Sequence, residues 1–457
     1  MKTLLRRERE HMPGPSFSLV TLGCSKNQVD SEIMAGALLR QGYRPTGNVE
    51  AADIIIINTC GFIEAAREES IQAILKLAQH KKKGKCRVLV AAGCLVQRYI
   101  KGLRKVLPEV DIYISLDEVA DIGAILGGKR VSGAGRKERP EYLYDGEVPR
   151  FIEEGAVSAY LKISEGCDNR CHYCAIPLIR GSLRSRSPES LLQEARYLMD
   201  KGIRELNVIA HDCTAYGRDL GLENGLVTLT ERLLSLKEFH WIRLLYLFPD
   251  TVPENLLDLM KDEERLCAYL DIPIQHCNKE ILRRMGRNDD IRPVVSFIEK
   301  ARKKIPDITI RTTCIVGFPG EKERQFEELL SFCRDMQFER LGVFSYSPEE
   351  GTAAARLPEK IPESLKKERS RRLLRLQQGI SEKKNKSLLG KEVEVLLEGY
   401  HPETDFLWKG RTAAQAPEVD GDVIINEGQG AFGEFVAAEI TDTYAYDLIG
   451  RIIEKER

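Results

Sequence analysis

The 457-residue sequence lacks a long apolar run, because no stretch of roughly 18 uninterrupted apolar residues, enough to span a bilayer, occurs in it. It also lacks an excess of either charge, since 69 Lys and Arg residues stand against 70 Asp and Glu residues. The first absence predicts no membrane partner, and the second removes any overall attraction to nucleic acid or anionic lipid. No apolar segment of signal-peptide length opens the sequence, so we expect a cytoplasmic protein.

Cysteine, in contrast, is abundant, with 12 residues in the chain. A reducing cytoplasm disfavours disulfides, so these thiols are better interpreted as metal ligands. The chain is longer than one hydrophobic core usually organises, which predicts two or three domains.

Three of the cysteines follow strand-like apolar runs near the N-terminus. The runs FSLVTLGC, ADIIIINTC and RVLVAAGC end at Cys24, Cys60 and Cys94, and a helical pattern follows each, the first near residues 30–40. Such alternation predicts a parallel sheet covered on both faces, whose loops at the carboxyl ends of the strands share one edge. We therefore expect these cysteines to meet at a ligand site. The alternative is three thiols buried in the core of the sheet.

The segment EGCDNRCHYCAI supplies a second trio of cysteines, Cys167, Cys171 and Cys174. Three thiolates at this spacing on a tight loop can hold a four-iron cluster and leave one iron without a protein ligand. The free position is then reserved for a substrate or cofactor. A zinc site completed by His172 or Cys213 is the alternative.

Strand-like and helical segments alternate after this loop, and roughly six such units predict a partial (β/α) barrel. The segment IVGFPGE carries Gly317 and Gly320 where a strand passes into a helix, which would allow close approach of a cofactor's adenosyl part. An ordinary turn is the alternative there. The run DIPIQH places Gln275 and His276 at a strand end near the barrel mouth, where a histidine is more often structural.

The C-terminal residues 391–457 alternate apolar and polar residues with frequent glycine, which predicts a small closed β-barrel. This segment holds six Lys and Arg against fifteen Asp and Glu, a net charge of −9. Such a barrel would repel phosphates and attract a basic protein. The alternative is an acidic surface that serves only solubility. The charged stretch before it predicts a solvated helix that connects the two barrels.

A family resemblance rests on these motifs. The second trio is spaced Cys-x-x-x-Cys-x-aromatic-Cys, with Tyr173 as the aromatic, and resembles the signature of radical S-adenosylmethionine enzymes. Together with the first trio and the C-terminal segment, it makes the chain from about residue 17 to 457 resemble the methylthiotransferase family. The segments GCSKNQVDSE and SEGC resemble the RimO-type branch, whereas the tRNA branch tends to carry Cys-Gln-Met-Asn at the first cysteine. His211 and Cys213 depart from the more usual Gln-Asp-Thr.

The resemblance implies an enzyme that adds a methylthio group to the β-carbon of an aspartate of ribosomal protein uS12. The alternatives are a tRNA adenosine methylthiotransferase and a non-catalytic iron–sulfur carrier. It implies two 4Fe–4S clusters, an auxiliary one on Cys24, Cys60 and Cys94 and a radical one on Cys167, Cys171 and Cys174. It further implies that S-adenosylmethionine, two molecules per turnover, lies near Tyr173, Gln275, Gly317 and Gly320.

The same resemblance implies several partners. The substrate uS12 would be met free or within the small ribosomal subunit. An external electron donor, such as flavodoxin or ferredoxin, and an external sulfur source are needed. We expect a monomer.

The predicted fold class is α/β, with an N-terminal parallel-sheet domain, a central partial (β/α) radical S-adenosylmethionine barrel and a small C-terminal all-β barrel of TRAM type. The predicted boundaries are a disordered extension at 1–16, the N-terminal domain with the auxiliary cluster at 17–135, a linker at 136–155, the central barrel at 156–375, a connecting segment at 376–390 and the C-terminal barrel at 391–457.

Overall fold

The computed structural model describes residues 14–453. The first strand begins at Ser16, and residues 1–13 of the predicted disordered extension lie outside the described range. No helix within residues 14–453 is long and apolar enough to cross a membrane.

A parallel sheet forms the core of the N-terminal part. Its strands are β1 (Ser16–Thr21), β2 (Arg44–Pro45), β3 (Ile54–Thr59), β4 (Val88–Gly93) and β5 (Ile112–Ile114). They lie in the order β2-β1-β3-β4-β5, and every neighbouring pair is parallel. Every residue of β3 is buried, as expected of a strand covered on both faces. The predicted N-terminal parallel sheet is confirmed.

The helices of this part are α1 (Ser25–Arg40), α2 (Glu64–Ala78), α3 (His80–Lys83), α4 (Cys94–Val106) and α5 (Ile122–Leu126). Helix α1 begins at Ser25, earlier than the predicted start near residue 30. The first turn is not visible in the apolar pattern of the sequence, because Lys26, Asn27 and Asp30 are buried although they are polar.

The central part is built on parallel strands. Its strands are β6 (Ser158–Lys162), β7 (Ser164–Glu165), β8 (Arg184–Ser185), β9 (Glu205–Ile209), β10 (Trp241–Leu244), β11 (Tyr269–Asp271), β12 (Thr309–Val316) and β13 (Arg340–Ser345). Strands β6, β9 and β10 form one parallel sheet and β11, β12 and β13 another, and a bridge between Ile242 and Leu266 joins them. This order is the partial barrel that the sequence predicts.

The helices of the central part are α6 (Ile176–Ile179), α7 (Pro188–Asp200), α8 (Gly225–Leu234), α9 (Asn255–Asp262), α10 (Lys279–Arg284), α11 (Arg292–Lys304), α12 (Glu323–Met336) and α13 (Glu363–Lys386). Helix α13 runs through the predicted boundary between residues 375 and 376. The prediction of a solvated helix is wrong for one of its faces, which buries Leu373 and Ile380. A buried charge on this face is paired, since Arg369 donates to Glu321 at 3.2 Å.

The C-terminal strands close into a barrel. They are β14 (Glu392–His401), β15 (Thr404–Arg411), β16 (Val423–Glu427), β17 (Phe435–Thr443) and β18 (Leu448–Ile452). Their order around the barrel is β14-β15-β16-β18-β17. Val395, Leu397 and Ile440 are among the apolar side chains that fill its interior. The predicted small closed β-barrel is confirmed.

A buried ion cluster fastens this barrel to the central one. Arg411 of β15 donates to Glu205 of β9 at 2.5 Å and to Glu398 of β14 at 2.6 Å. Arg243 of β10 donates to the same Glu205 at 3.0 Å. Burial alone would raise the pKa of Glu205, but the two guanidinium groups lower it to about 2. The carboxylate therefore stays charged at neutral pH between two domains.

We expect Arg411→Met to lower the free energy of unfolding by about 3–5 kcal/mol, because it leaves the buried Glu205 with a single cation. The matched control is Arg451→Met in the same barrel. Its pair with Glu439 is substantially exposed, so its loss costs less than about 1 kcal/mol. Urea unfolding followed by circular dichroism measures both. Equal effects of the two substitutions would contradict the role given to Arg411.

Candidate active site

The first trio of cysteines lies at one edge of the N-terminal sheet. Cys24 caps the N-terminus of α1 just after β1, Cys60 follows β3 directly, and Cys94 is the first residue of α4, directly after β4. Strands β1, β3 and β4 are neighbours in the sheet, so their carboxyl ends meet at one edge. The structure thus brings together the three thiols that the strand pattern places there.

The three thiols share one electrostatic environment, in which each interacts with the charge of the other two. Cys24 is exposed, Cys60 is half-buried and Cys94 is buried, so the trio is not hidden in the core of the sheet. Burial raises the pKa of Cys60 and raises that of Cys94 to about 12. The guanidinium of Arg180 acts in the opposite direction on both.

A glycine makes the close approach of two of these thiols possible. Gly23 has a φ of +97°, which L side chains rarely adopt. A Cβ added to Gly23 would lie 2.9 Å from Cys60 Cβ and 3.2 Å from Cys60 Sγ. The backbone before Cys24 therefore packs directly on the side chain of Cys60.

The second trio lies on the loop between β7 and β8, which pair with each other at its base. Cys174 N donates to Cys171 O at 3.1 Å, and Ile176 N donates to Cys174 Sγ at 3.5 Å as α6 begins. All three cysteines are half-buried. Burial raises the pKa of Cys167 to about 11 and that of Cys174 to about 12.

The residues that the zinc alternative would need lie apart from the second trio. Among residues 14–453, no three His, Cys, Asp or Glu side chains are arranged to hold one metal ion. Cys213 is fully buried in the barrel core, and His172 Nδ1 lies 2.9 Å from Arg284 O. Neighbouring thiols with raised pKa values become thiolates once a cationic metal centre replaces their protons.

A buried network of charges links the two trios. Arg180, on the loop of the second trio, donates to Asn27 at 2.7 Å and to Asp30 at 2.8 Å, both on α1. Its Nε donates to Cys94 Sγ at 3.4 Å. Its remaining partner is Glu165 of β7, at 3.1 Å. One guanidinium therefore contacts the N-terminal domain, a thiol of the first trio and the strand before the second trio.

Lys162 of β6 completes this network. It donates to Asp30 at 2.5 Å and also to Glu165. Burial alone would raise the pKa of Glu165, but Lys162 and Arg180 shift it well below its usual value. Two cations and two anions thus balance one another, with side chains no more than 9% exposed.

Three residues that the sequence assigns to S-adenosylmethionine lie around Phe318. Tyr173 packs in the same apolar cluster as Phe318, which stands between Gly317 and Gly320 in the chain. The two glycines have φ values of +72° and +85°, which a turn of this shape requires. Side chains of Lys366 and Arg284 occupy the space beside them, so that space is taken up by the protein.

Gln275 lies four residues beyond the end of β11, where its backbone forms an isolated bridge to β12 through hydrogen bonds of 2.8 Å with Thr313 and Ile315. It is buried and has a φ of +66°. His276 is fully buried, and its Nδ1 accepts hydrogen bonds from the two following backbone N–H groups at 3.0 and 2.9 Å. This histidine caps a turn, which is the structural role the sequence favours.

Sequence reasoning assigned no role to Arg180, Lys26 or Tyr246. Arg180 could have been noticed from its position six residues after Cys174. Arginine side chains are, however, usually exposed. Lys26 belongs to the SKN segment that the branch resemblance uses, which was a stronger signal. Tyr246 had none, because its φ of +60° is visible only in the structure.

The fold resembles solved radical S-adenosylmethionine enzymes. The methyltransferase TsrM from Kitasatospora setae matches with a TM-score of 0.53 over 73% of this chain and 77% of that chain, at 13% identity. The cobalamin-dependent enzyme OxsB matches with a TM-score of 0.52 over 76% of this chain and 55% of that chain, at 14% identity. Identities this low support the fold alone.

Three sequence families match successive parts of the chain. The uncharacterized protein family UPF0004 matches residues 16–115, the radical SAM superfamily matches residues 161–333, and the TRAM domain matches residues 389–453. The chain is therefore a three-part protein of the radical SAM class.

Full-length relatives refine this class, and each carries the name ribosomal protein uS12 methylthiotransferase RimO. The protein of Trichlorobacter lovleyi is 46% identical over 96% of this chain and 98% of its own length. The protein of Geobacter sulfurreducens is 46% identical over 95% of this chain and 98% of its own length. The protein of Myxococcus xanthus is 43% identical over 96% of this chain and 92% of its own length. The chain belongs to the RimO family of methylthiotransferases.

We expect Gly23→Ala to lower the iron that the protein binds by about half, because the added methyl group displaces Cys60 and disturbs one of two trios. Gly42→Ala is the matched control, since Gly42 has a φ of +83° but nothing within 4 Å of an added Cβ. Iron and acid-labile sulfide per chain after anaerobic reconstitution measure the effect, with circular dichroism to verify folding. The same iron content in both variants would count against the first trio as a cluster site.

Proposed function

We propose that this enzyme adds a methylthio group to the β-carbon of an aspartate in ribosomal protein uS12. The observation that supports it most is the joining of two cysteine trios by Arg180, in a chain similar over nearly its full length to RimO enzymes. A carrier of clusters has no need for two trios joined by a buried network of charges. The similarity to RimO enzymes therefore indicates the reaction, and the joining of the two trios supports it.

The cofactors proposed are two 4Fe–4S clusters and S-adenosylmethionine. Cys167, Cys171 and Cys174 would hold one cluster, and Cys24, Cys60 and Cys94 the other, each with one iron left without a protein ligand. When bound, these groups supply the radical that breaks the C–H bond, the sulfur and the methyl group, with two S-adenosylmethionine molecules used per turnover. An external reductase, such as flavodoxin or ferredoxin, and an external sulfur source complete the proposal.

The protein's own contribution is placement and exclusion of water. Arg180, Lys162, Asp30 and Glu165 are buried between the trios, so their network keeps bulk water from this side of the site. The N–H that Arg180 donates to Cys94 Sγ stabilises negative charge on that sulfur. Tyr173 and the turn at Phe318 would form the wall against S-adenosylmethionine, with Gln275 at the neighbouring strand end.

The C-terminal barrel suits a basic protein substrate. Residues 391–457 carry a net charge of −9, and ribosomal proteins are basic. An acidic surface raises the rate of encounter with a cationic partner and opposes the binding of a nucleic-acid backbone. We propose that a monomer acts in the cytoplasm, on uS12 that is free or within the small ribosomal subunit.

Mass spectrometry of uS12 tests this function. Anaerobic incubation with reconstituted enzyme, reductant, sulfide and S-adenosylmethionine should add about 46 Da, because a CH₃S group replaces hydrogen. Fragmentation should locate the added mass on one aspartate. A parallel reaction with total tRNA serves as the comparison. Methylthio-adenosine in the tRNA together with unmodified uS12 would overturn the proposal.

Single cysteine substitutions separate the two trios. We expect Cys171→Ala to abolish formation of 5′-deoxyadenosine, because the second trio no longer holds a cluster. Cys60→Ala should still release 5′-deoxyadenosine but yield no methylthiolated uS12, since the first trio is the proposed source of sulfur. Cys86→Ala is the control, as this thiol lies against Val88 O at 3.4 Å, away from both trios. Undiminished cleavage by the Cys171 variant would contradict the assignment.

A further inference from the structure

Lys26 is a buried cation without an ionic partner. Its residue is 4% exposed, and its Nζ lies 2.9 Å from the centroid of the Tyr246 ring. Within residues 14–453 this ammonium group forms no ion pair and no hydrogen bond. A cation on a side chain that is largely removed from water is costly unless it is paired, and a cation–π contact offsets only part of that cost.

The position of Lys26 on its helix is also unfavourable. It is the second residue of α1, where the aligned backbone dipoles present positive charge. No acidic residue occupies this first turn. A cation that breaks two local rules at once, with only a cation–π contact to offset the cost, indicates a role in binding an anion.

Lys26 faces the barrel mouth, because the Tyr246 ring that it contacts lies two residues beyond the end of β10. Lys26 interacts electrostatically with His211, Cys213 and Asp271, which lie at or just beyond the carboxyl ends of β9 and β11. Arg180 is a second cation beside the first trio, since its Nε donates to Cys94 Sγ at 3.4 Å. Lys26 is two residues from Cys24 in the chain.

The carboxylate of Asp271, at the end of β11, already has other partners. Asp271 accepts a hydrogen bond from Tyr246 N at 3.0 Å, and Arg311 Nε lies 3.8 Å from its Oδ1. His211, at the end of the adjacent strand, presents a buried Nδ1 that has no hydrogen-bond partner in the described part of the chain. The surroundings of Lys26 thus offer positive charge and an unused polar nitrogen, but no free anion.

Tyr246 is held in place at some cost. Its φ of +60° is rare for a bulky residue, and such strain collects at functional sites. Its backbone is fixed from both sides, since Cys213 N donates to Tyr246 O at 3.0 Å and Tyr246 N donates to Asp271. Its hydroxyl lies 3.4 Å from Ser25 Oγ. The strained residue places a ring from the barrel against the ammonium group of the other domain.

We propose that Lys26 binds the side-chain carboxylate of the substrate aspartate, at the barrel mouth beside the first trio. The inference rests on the proposed function, because it assigns a contact to that substrate. The β-carbon of aspartate is bonded directly to the carboxylate carbon. An ion pair with Lys26 therefore holds the carboxylate in place, and the carbon that loses hydrogen and gains sulfur is only one bond away from it.

The residue at the position of Lys26 differs between the two branches of the family. The tRNA branch tends to carry Cys-Gln-Met-Asn where this chain has Cys-Ser-Lys-Asn, so methionine stands there in place of Lys26. An adenosine has no carboxylate for a lysine to bind. S-adenosylmethionine has one, but it would bind at the second trio, and Lys26 adjoins the first.

The test compares two peptides that span the target segment of uS12, one with the aspartate and one with asparagine in its place. Fluorescence polarisation with anaerobically reconstituted enzyme measures each dissociation constant. We expect wild-type enzyme to bind the aspartate peptide about tenfold or more tightly than the asparagine peptide, because one buried charge pair is lost. In Lys26→Met the two affinities should become equal, whereas Lys26→Arg should retain a preference. Lys105→Met, at an exposed lysine of the same domain, should behave as wild type.

Each outcome decides the proposal. Equal binding of the two peptides by wild-type enzyme would overturn it, as would a preference that survives in Lys26→Met. If Lys26→Met weakens the binding of S-adenosylmethionine but keeps the preference for the aspartate peptide, Lys26 binds the carboxylate of S-adenosylmethionine, and the proposal is overturned. Iron content is measured for each variant. If Lys26→Met does not load iron, Tyr246→Leu, a substitution in the other domain, should reduce the preference, and an unchanged preference contradicts the proposal. The proposed function itself fails separately, if wild-type enzyme leaves uS12 unmodified.

Discussion

Arg180 is buried where the N-terminal sheet meets the loop of the second trio, and its guanidinium contacts both. The planar group donates in several directions at once, so it fixes orientation as well as distance. Its bonds to Asn27 and Asp30 hold the start of α1, and its bond to Cys94 holds the first trio. Arg180 thus helps to set the separation of the two trios, together with the apolar cluster in which Cys94 and Leu116 pack with Ala175 and Ile179.

The network around Arg180 serves orientation more than stability. Lys162, Asp30 and Glu165 balance it, yet taking four charges out of water costs about as much as their attraction returns. A packed apolar interface would hold two domains together equally well, but it would allow small sliding shifts. Directional bonds do not, and a radical reaction depends on the placement of its reacting groups within fractions of an ångström.

Much of the fold could be predicted from the sequence, because its strands are continuous apolar runs such as Ile54–Thr59. The meeting of Cys24, Cys60 and Cys94 followed from one rule, that parallel strands end at a common edge. The start of α1 and the buried face of α13 could not be predicted. In both helices buried polar residues, Lys26 and Arg369 among them, replace the apolar residues that mark a buried face. Their burial depends on partners that are distant in sequence and thus invisible in it.

The N-terminal turns of α1 combine these themes. Within seven residues they carry a thiol of the first trio, Cys24, the unpaired cation Lys26, and the two acceptors of Arg180, Asn27 and Asp30. A helix is stiff, so these groups cannot move independently. Any shift of the helix that breaks the hydrogen bonds from Arg180 also displaces Cys24 and Lys26. The proposed roles of the first trio in sulfur delivery and of Lys26 in substrate binding would therefore be coupled mechanically through one helix end, whose buried face is polar.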